Sequence, residues 1–520
     1  MSTSPADRRP NPAVPAPAAP LTGVTLFVAA FAIGAGNFLV VLDSTIANVS
    51  VPTIAGSVGV SASQGTWVIT SYAVAEAITV PLTGWLARRF GAMRVFIACY
   101  FGFAAISLLC GLSQSLGMLI ASRVLLGLVG GPIMPLSQML LLRIFPPRQA
   151  TLAAVLWSMT TLIGPIAGPI LGGIICDGVG WPWIFHIKVP IAILGGLIVY
   201  ATTRGQPDPT GPARIDKIGL ALLVLWVGAL QIMLDEGRDH DWFASGLIQS
   251  LAVIAAIGFV AFLIWELTEE HPIVDLKIFR HRGFAASSVT FAAGFGAFFA
   301  SVVILPLWLQ QNMGYTATWA GYATGIMGIL AMISAPIVGK ATEVIDPRAI
   351  LSAGILGLAA MTAWRIGFNS DVTFLQMAWP TLLTGPFMVM FFVPVTGLAM
   401  SSVGPDEQAN AAGLSNFMRT LAGAFATSLV QTGWANSART NQTELAGTMT
   451  QSNRIVAGMI DGGMLPDAAV ATLTRIVEHQ SVLLATLDMF AVITVVFVMA
   501  AILPWLVPKP RGPIDTSGAH

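Results

Sequence analysis

Charge is what this sequence has least of. Lys plus Arg number 25 and Asp plus Glu number 25 in 520 residues, 10% of the chain. Soluble domains carry about 25%. With 55% hydrophobic residues and a mean hydropathy of +0.78, a soluble chain could not cover its apolar surface. The formal net charge is zero, so no charge excess points to nucleic acid or another polyelectrolyte. Cysteine is scarce as well. Cys99, Cys110 and Cys176 lie in apolar runs without C-x-x-C spacing, which excludes a disulfide framework or a zinc site. The six histidines are dispersed, so no metal site and no cofactor are expected. There is no G-x-x-x-x-G-K loop, so nothing in the chain would couple it to ATP. Catalytic clusters and large loop domains are also missing, which argues against a membrane-embedded enzyme.

What is present is long apolar runs. A helix crossing the hydrocarbon core needs about 20 apolar residues, and backbone polar groups in lipid must be satisfied internally. Fourteen candidate spans start near Val24, Thr66, Val95, Leu116, Ala150, Ile184, Ile218, Gly246, Phe284, Trp319, Ile350, Val372, Asn410 and Met489. A β-barrel would alternate in ~10-residue segments, and the unbroken run from Ala150 to Cys176 excludes it. Residues 1–23, with six prolines and Arg8 and Arg9, lack the core of a signal peptide and are expected to be a disordered cytoplasmic tail. With the N-terminus inside, seventeen basic residues fall in inside loops or tails. Six fall outside, namely Lys188, Arg238, Arg365, Arg439, Arg454 and Arg475. That bias follows the positive-inside rule and puts both termini in the cytoplasm.

The segment Gly84–Arg94, GWLARRFGAMR, is echoed eight spans later by Gly339–Arg348, GKATEVIDPR. The offset suggests two six-span units, 24–205 and 271–508, around a two-span insert at 206–270. The segment 436–480 is expected to be a long outer loop, in part a helix extending span fourteen from Pro466, and 509–520 a second cytoplasmic tail.

GWLARRFGAMR resembles the loop motif G-x-L-A-D-R-x-G-R-K of the major facilitator superfamily. Arg123–Gly131, RVLLGLVGG, resembles its fourth-span motif, and Gly164–Gly173, GPIAGPILGG, the antiporter motif of its drug exporters. Leu42–Pro52, LDSTIANVSVP, and Trp181–Pro190, WPWIFHIKVP, are similar to segments of the fourteen-span drug:proton antiporters, in particular the inner-membrane subunits of Emr-type tripartite pumps. LPLWLQQNMGY from Leu305 and LSNFMRTLAG from Leu414 match more loosely. The resemblance implies an all-α membrane protein of two six-helix bundles plus a two-helix insert, in the bacterial inner membrane. It implies proton-coupled export of hydrophobic small molecules by alternating access, in contact with membrane lipid. A periplasmic adaptor and an outer-membrane channel are the implied partners. One departure stands out: the acid usual in the loop motif is Arg88, among the gate residues Gly84, Arg88, Arg89, Gly91 and Arg94. The same residues are compatible with a narrow exporter of one metabolite or siderophore, and they do not separate protons from sodium.

Charges within spans are costly and mark function. Asp43, Glu76 and Arg123 are the candidates for proton coupling, at estimated depths of roughly 12, 15 and 11 Å below the outer ends of their spans. Desolvation raises a carboxyl pKa and a neighbouring cation lowers it, so such a site can switch. The alternative is a static ion pair, with Arg123 a donor to backbone carbonyls. Arg419 has no evident acid except Asp488. Gly164, Gly168 and Gly172 repeat every fourth residue on one helix face beside Pro165, Pro169 and Gly173, which fits either a moving interface or ordinary small-residue packing. Phe295, Phe299, Phe387 and Phe391 are candidates to line an adaptable apolar pocket, or else they face lipid.

Overall fold

A computed structural model describes residues 21–509 except 61, 66, 212–214, 238–239, 271, 405–406 and 449–451. Most of both expected tails therefore lies outside the described residues. All regular structure in the described residues is helical. The first half holds α1 (Gly23–Val58), α2 (Ala62–Gly65), α3 (Trp67–Thr79), α4 (Thr83–Phe90), α5 (Ala92–Gly111), α6 (Leu116–Gly130), α7 (Ile133–Ile144), α8 (Ala150–Gly178), α9 (Trp183–His186) and α10 (Lys188–Thr203). Next come α11 (Lys217–Glu236) and α12 (Gly246–Thr268). The remainder is α13 (Arg282–Gln311), α14 (Ala317–Gly325), α15 (Met327–Val344), α16 (Pro347–Trp364), α17 (Phe374–Ser401), α18 (Gln408–Thr448), α19 (Ser452–Asp461) and α20 (Pro466–Ala500).

Among the described residues, eleven stretches of helix are long and apolar enough to cross a membrane. Three expected spans fall outside that set for visible reasons. The α3–α4 rod is interrupted at Val80–Leu82, where Pro81 cannot donate a helical hydrogen bond. In α8 several side chains are not described. The long α18 carries buried polar groups, Ser415, Asn416 and Arg419 among them.

Two cores hold the helices. One collects buried side chains from Leu26 to Val199, with α1 against α8, α3 against α6 and α5 against α10. The other runs from Phe291 to Val507 and takes Val155, with Met159 packed against it, from the first half. A third cluster, with Ala77, Val80, Trp226, Phe284, Ala411 and Phe417, joins α11 and α12 to both. The outward face of α12 keeps Ile257, Val260 and Ile264 exposed, as a lipid-facing helix should.

The expected outer loop from Asn436 is largely helix. α18 continues unbroken to Thr448, and α20 begins at Pro466 as the spacing suggested. The polar extension of α18 is held to α20 by Asp488, whose Oδ2 accepts from Ser437 Oγ at 2.5 Å and Asn441 Nδ2 at 3.2 Å. Trp434 Nε1 donates to Thr486 Oγ1 at 2.9 Å. Sequence periodicity misses this stretch because its stability comes from a neighbouring helix, not from an apolar stripe.

Packing is tight enough that single methyl groups decide. A Cβ on Gly385 of α17 would press on Met327 O and lie 2.7 Å from Ala331 N of α15, whereas one on Gly397 would meet nothing within 4 Å. Gly385→Ala should therefore lose about 1–3 kcal/mol through overpacking. Gly397→Ala should be neutral or gain up to about 1 kcal/mol from helix propensity. Thermal unfolding of the two purified variants checks this, and equal melting temperatures would contradict it.

Candidate functional site

Lipid cannot solvate a charge, so a charged side chain on a spanning helix is driven toward the protein interior and toward a partner. Asp43, midway along α1, is fully buried. Its Oδ2 accepts from Arg123 Nη1 of α6 at 2.5 Å. Its Oδ1 is bonded by Lys188 Nζ, at the first turn of α10. Both cations are fully buried too. Arg123 also donates from Nε to Val68 O of α3 at 2.8 Å. Aromatic faces complete the cage. The Arg123 guanidinium lies 4.3 Å from the centre of the Tyr72 ring, and Lys188 Nζ lies 4.8 Å from that of Phe185. Three buried ionised groups thus leave one carboxylate against two cations.

Glu76 of α3 is buried near this triad. Its carboxylate makes no hydrogen bond or ion pair with the described residues. Its electrostatic neighbours are Arg419, Asp43 and Arg123. The structure therefore joins Asp43 directly to Arg123, and leaves Glu76 adjacent but unbonded.

Lys188, which the charge bias assigns to an outer loop, is instead buried inside the bundle. Lys188 follows the short α9 turn and enters the bundle because Asp43 lies within reach of it. No composition rule flags a lysine at a helix start. Arg365, also assigned outside, is likewise buried. Arg419 is not paired with Asp488. Its Nε donates to Asn416 Oδ1 at 3.3 Å, its Nη2 lies against Met134 Sδ, and it stands 5.0 Å above the Phe295 ring. Asn416 itself crosses to the first half, donating to Gln138 Oε1 at 2.9 Å.

The glycine motif sits beside the triad. A Cβ on Gly164 would come within 2.7 Å of Val41 Cβ, and one on Gly168 within 2.7 Å of Thr45 Cβ. Val41 and Thr45 flank Asp43 on α1. Thr45 Oγ1 donates to Gly164 O at 3.1 Å, tying the α1 side chain to the α8 backbone. Gly172 and Gly173 are buried, and the side chains of Pro165 and Pro169 lie outside what is described. Further along α8, Ile170 meets Gly321 of α14, where a Cβ would lie 2.8 Å from Ile170 Cγ1.

The expected gate loop is mostly helix: Gly84, Arg88 and Arg89 lie in α4, Gly91 is the turn and Arg94 opens α5. Gly84 accepts the close approach of Asn410 from α18. The three arginines are exposed. A carboxylate does reach this turn, from elsewhere in the chain. Asp208 accepts from Arg94 N at 3.1 Å and Met93 N at 3.3 Å, and pairs with Arg143 at 3.5 Å. Gly91, at φ +92°, leaves room for it.

The four pocket candidates separate. Phe295 and Phe299 stack on each other at 5.5 Å and face Gly423 of α18. Phe391 is fully buried, with a ring atom 2.7 Å from where a Gly294 Cβ would stand, and Phe387 packs on Gly357. The latter two fill helix–helix contacts.

Comparison with known proteins gives a consistent picture. The family profile described as Major Facilitator Superfamily matches residues 33–427. The chain is 41% identical over 498 residues to the multidrug export protein EmrB of Escherichia coli K12, covering 95% of this chain and 97% of that one. It is 37% identical over 495 residues to the fatty acid resistance protein FarB of Neisseria gonorrhoeae, covering 94% and 98%. Among solved structures, the proton:xylose symporter XylE superposes with a TM-score of 0.58 at 13% identity, over 93% of this chain and 96% of that one. That last likeness concerns the fold.

The triad makes a stability prediction with an order. Asp43→Asn strands two buried cations and should cost about 3–5 kcal/mol. Lys188→Met leaves a matched Asp43–Arg123 pair and should cost clearly less. Thermal unfolding in detergent checks the ranking, and Lys188→Met being the more damaging change would refute the reading of the charges.

Proposed function

The chain belongs to the major facilitator superfamily, and from that premise we propose that it exports hydrophobic, drug-like compounds in exchange for protons by alternating access. The observation that carries this reading is the buried carboxylate at the seam of the glycine motif. Asp43 sits on α1 between two residues pressed onto the Gly164–Gly168 face, so its charge state and the fit of α1 on α8 are mechanically linked. As a carboxylate it holds Arg123 and Lys188 together. Once protonated it can satisfy only one cation poorly, and α1, α6 and α10 lose their common anchor. Glu76, free of any such bond, is the second carrier and faces Arg419 across the halves. Phe295 and Phe299, beside Arg419, form the apolar wall that a substrate meets.

In this reading the helices form two six-helix bundles, 24–205 and 271–508, with the pair in 206–270 packed on both. The chain thus crosses the inner membrane fourteen times, with both termini cytoplasmic. Removing buried Lys188 and Arg365 from the loop tally leaves four basic residues assigned outside, which strengthens the inside bias. The helical projection formed by the ends of α18 and α20 with α19 exposes Ile455, Ile460 and Leu465 and is the docking place for a periplasmic adaptor, with an outer-membrane channel beyond it. The likeness to FarB favours fatty-acid-like amphiphiles as a second substrate class.

Transport in proteoliposomes under an imposed pH gradient is the direct test. Asp43→Asn and Glu76→Gln should bind substrate yet lose pH-driven export by at least about tenfold, corresponding to a coupling of roughly 1.4 kcal/mol. Drug-stimulated proton flux at wild-type rates in both variants would place the carrier elsewhere. Gly168→Val should abolish export with the protein still in the membrane, and full activity would return the motif to ordinary packing. For topology, a reporter after Arg511 should read cytoplasm and one at Gly447 periplasm. A periplasmic C-terminus would overturn the fourteen-span count.

A further inference from the structure

The second half of the chain buries a guanidinium to which the described residues offer no acid. Arg365, just past the end of α16, is 4% exposed. Its Nη1 donates to Ser301 Oγ of α13 at 2.9 Å, and its Nη2 to Thr381 and Thr384 of α17 at 3.2 and 3.5 Å. Its Nε–H has no partner among the described residues. The two threonines cannot balance the charge, because they are neutral and their own hydroxyl protons go to Met377 O and Pro380 O. Ser301 differs: its oxygen accepts from Arg365, and its hydroxyl proton is not used by any described residue.

Arg365 and Ser301 line one small cavity, walled by side chains of α13, α14, α15, α16, α17 and α20, such as Phe298, Thr324, Leu358 and Phe497. Its free space admits a single water-sized body. That size is far below a drug molecule and matches a halide or one end of a carboxylate. A cation fixed in a low-dielectric interior without a counter-charge is strongly disfavoured. Arg365 and Ser301 thus each keep an unused donor, and both side chains line a space of ionic size.

The geometry points to a binding site for one small monovalent anion in the core of the second helical half, held by Arg365 and Ser301. Chloride has the right charge and size. The carboxylate head of an amphiphile offers the same chemistry. The site is separate from the Asp43 triad. Its occupancy ties α13, α16 and α17 together as Asp43 ties α1, α6 and α10.

The test uses the purified full-length protein in detergent, moved from sodium gluconate to sodium chloride at constant ionic strength, with thermal unfolding as the readout. A ligand that binds only the folded state raises the melting temperature saturably. Chloride should do so in the wild type, and bromide should replace it. Arg365→Gln should be flat, and Ser301→Ala should need roughly fivefold more chloride, the loss expected for one hydrogen bond. Decanoate, with decanol as the uncharged control, identifies the source. If decanoate competes with chloride in the wild type, the carboxylate is accepted as well, and if it does not, the site is reserved for an inorganic ion. A wild type indifferent to both chloride and decanoate overturns the proposal, as does Arg365→Gln responding like the wild type. Should Arg365→Gln fail to fold, an unchanged chloride midpoint in Ser301→Ala overturns it equally.

Discussion

One carboxylate organises the first half of this protein. Asp43 is bonded on one oxygen by Arg123 and on the other by Lys188, and all three are fully buried. The position of three helices follows from that. α6 must bring Arg123 to the level of Asp43, α10 must begin where its first residue can reach the same group, and α1 must turn Asp43 inward. Turning it inward also presents Val41 and Thr45 to α8, and only glycine at 164 and 168 allows the resulting approach. Charge pairing and close packing are thus two consequences of one side chain's burial. A buried ion pair is weak evidence for stability, since the desolvation of its members offsets their attraction. Its value lies in specificity: very few arrangements of these helices satisfy all three charges.

The second half solves a similar problem differently. Its buried guanidinium at position 365 is surrounded by hydroxyls, not by a carboxylate. Across the halves, Asn416 meets Gln138 and Arg419 lies against Met134, beside apolar contacts such as Ile170 on Gly321. Polar contacts of this kind are cheap to break and remake compared with a buried salt bridge. That suits a seam whose two sides move, while the charges inside each half hold each side together.

The arginine at position 88 shows how a local sequence departure is absorbed. The turn after α4 keeps a carboxylate, but it comes from Asp208, more than a hundred residues away, which caps the first amides of α5 and pairs with Arg143. The segment carrying Asp208 is tied down a second time by Gly211 N donating to Arg88 O at 2.8 Å. Arg88 therefore contributes a backbone carbonyl here, and its side chain stays exposed.

The sequence by itself determined the helical membrane class, the places of most of the spanning helices and the identity of the buried charges Asp43, Glu76 and Arg123. Those properties follow from what lipid excludes, and exclusion is written residue by residue. It also carried the glycine spacing that lets α1 meet α8. Only the tertiary structure decided that Lys188 belongs with Asp43, that Arg365 is buried and that Asn436–Thr448 is helix. It also decided that Phe391 packs on Gly294 and Phe387 on Gly357, while Phe295 and Phe299 stack beside Gly423. Each of these depends on a partner distant in the chain: Asp43 for Lys188, Ser301 for Arg365, Asp488 for the end of α18, Gly357 and Gly294 for the two phenylalanines. A lysine near a helix start is by default a surface residue, and nothing within its own neighbourhood reveals that a carboxylate 145 positions earlier will draw it inside.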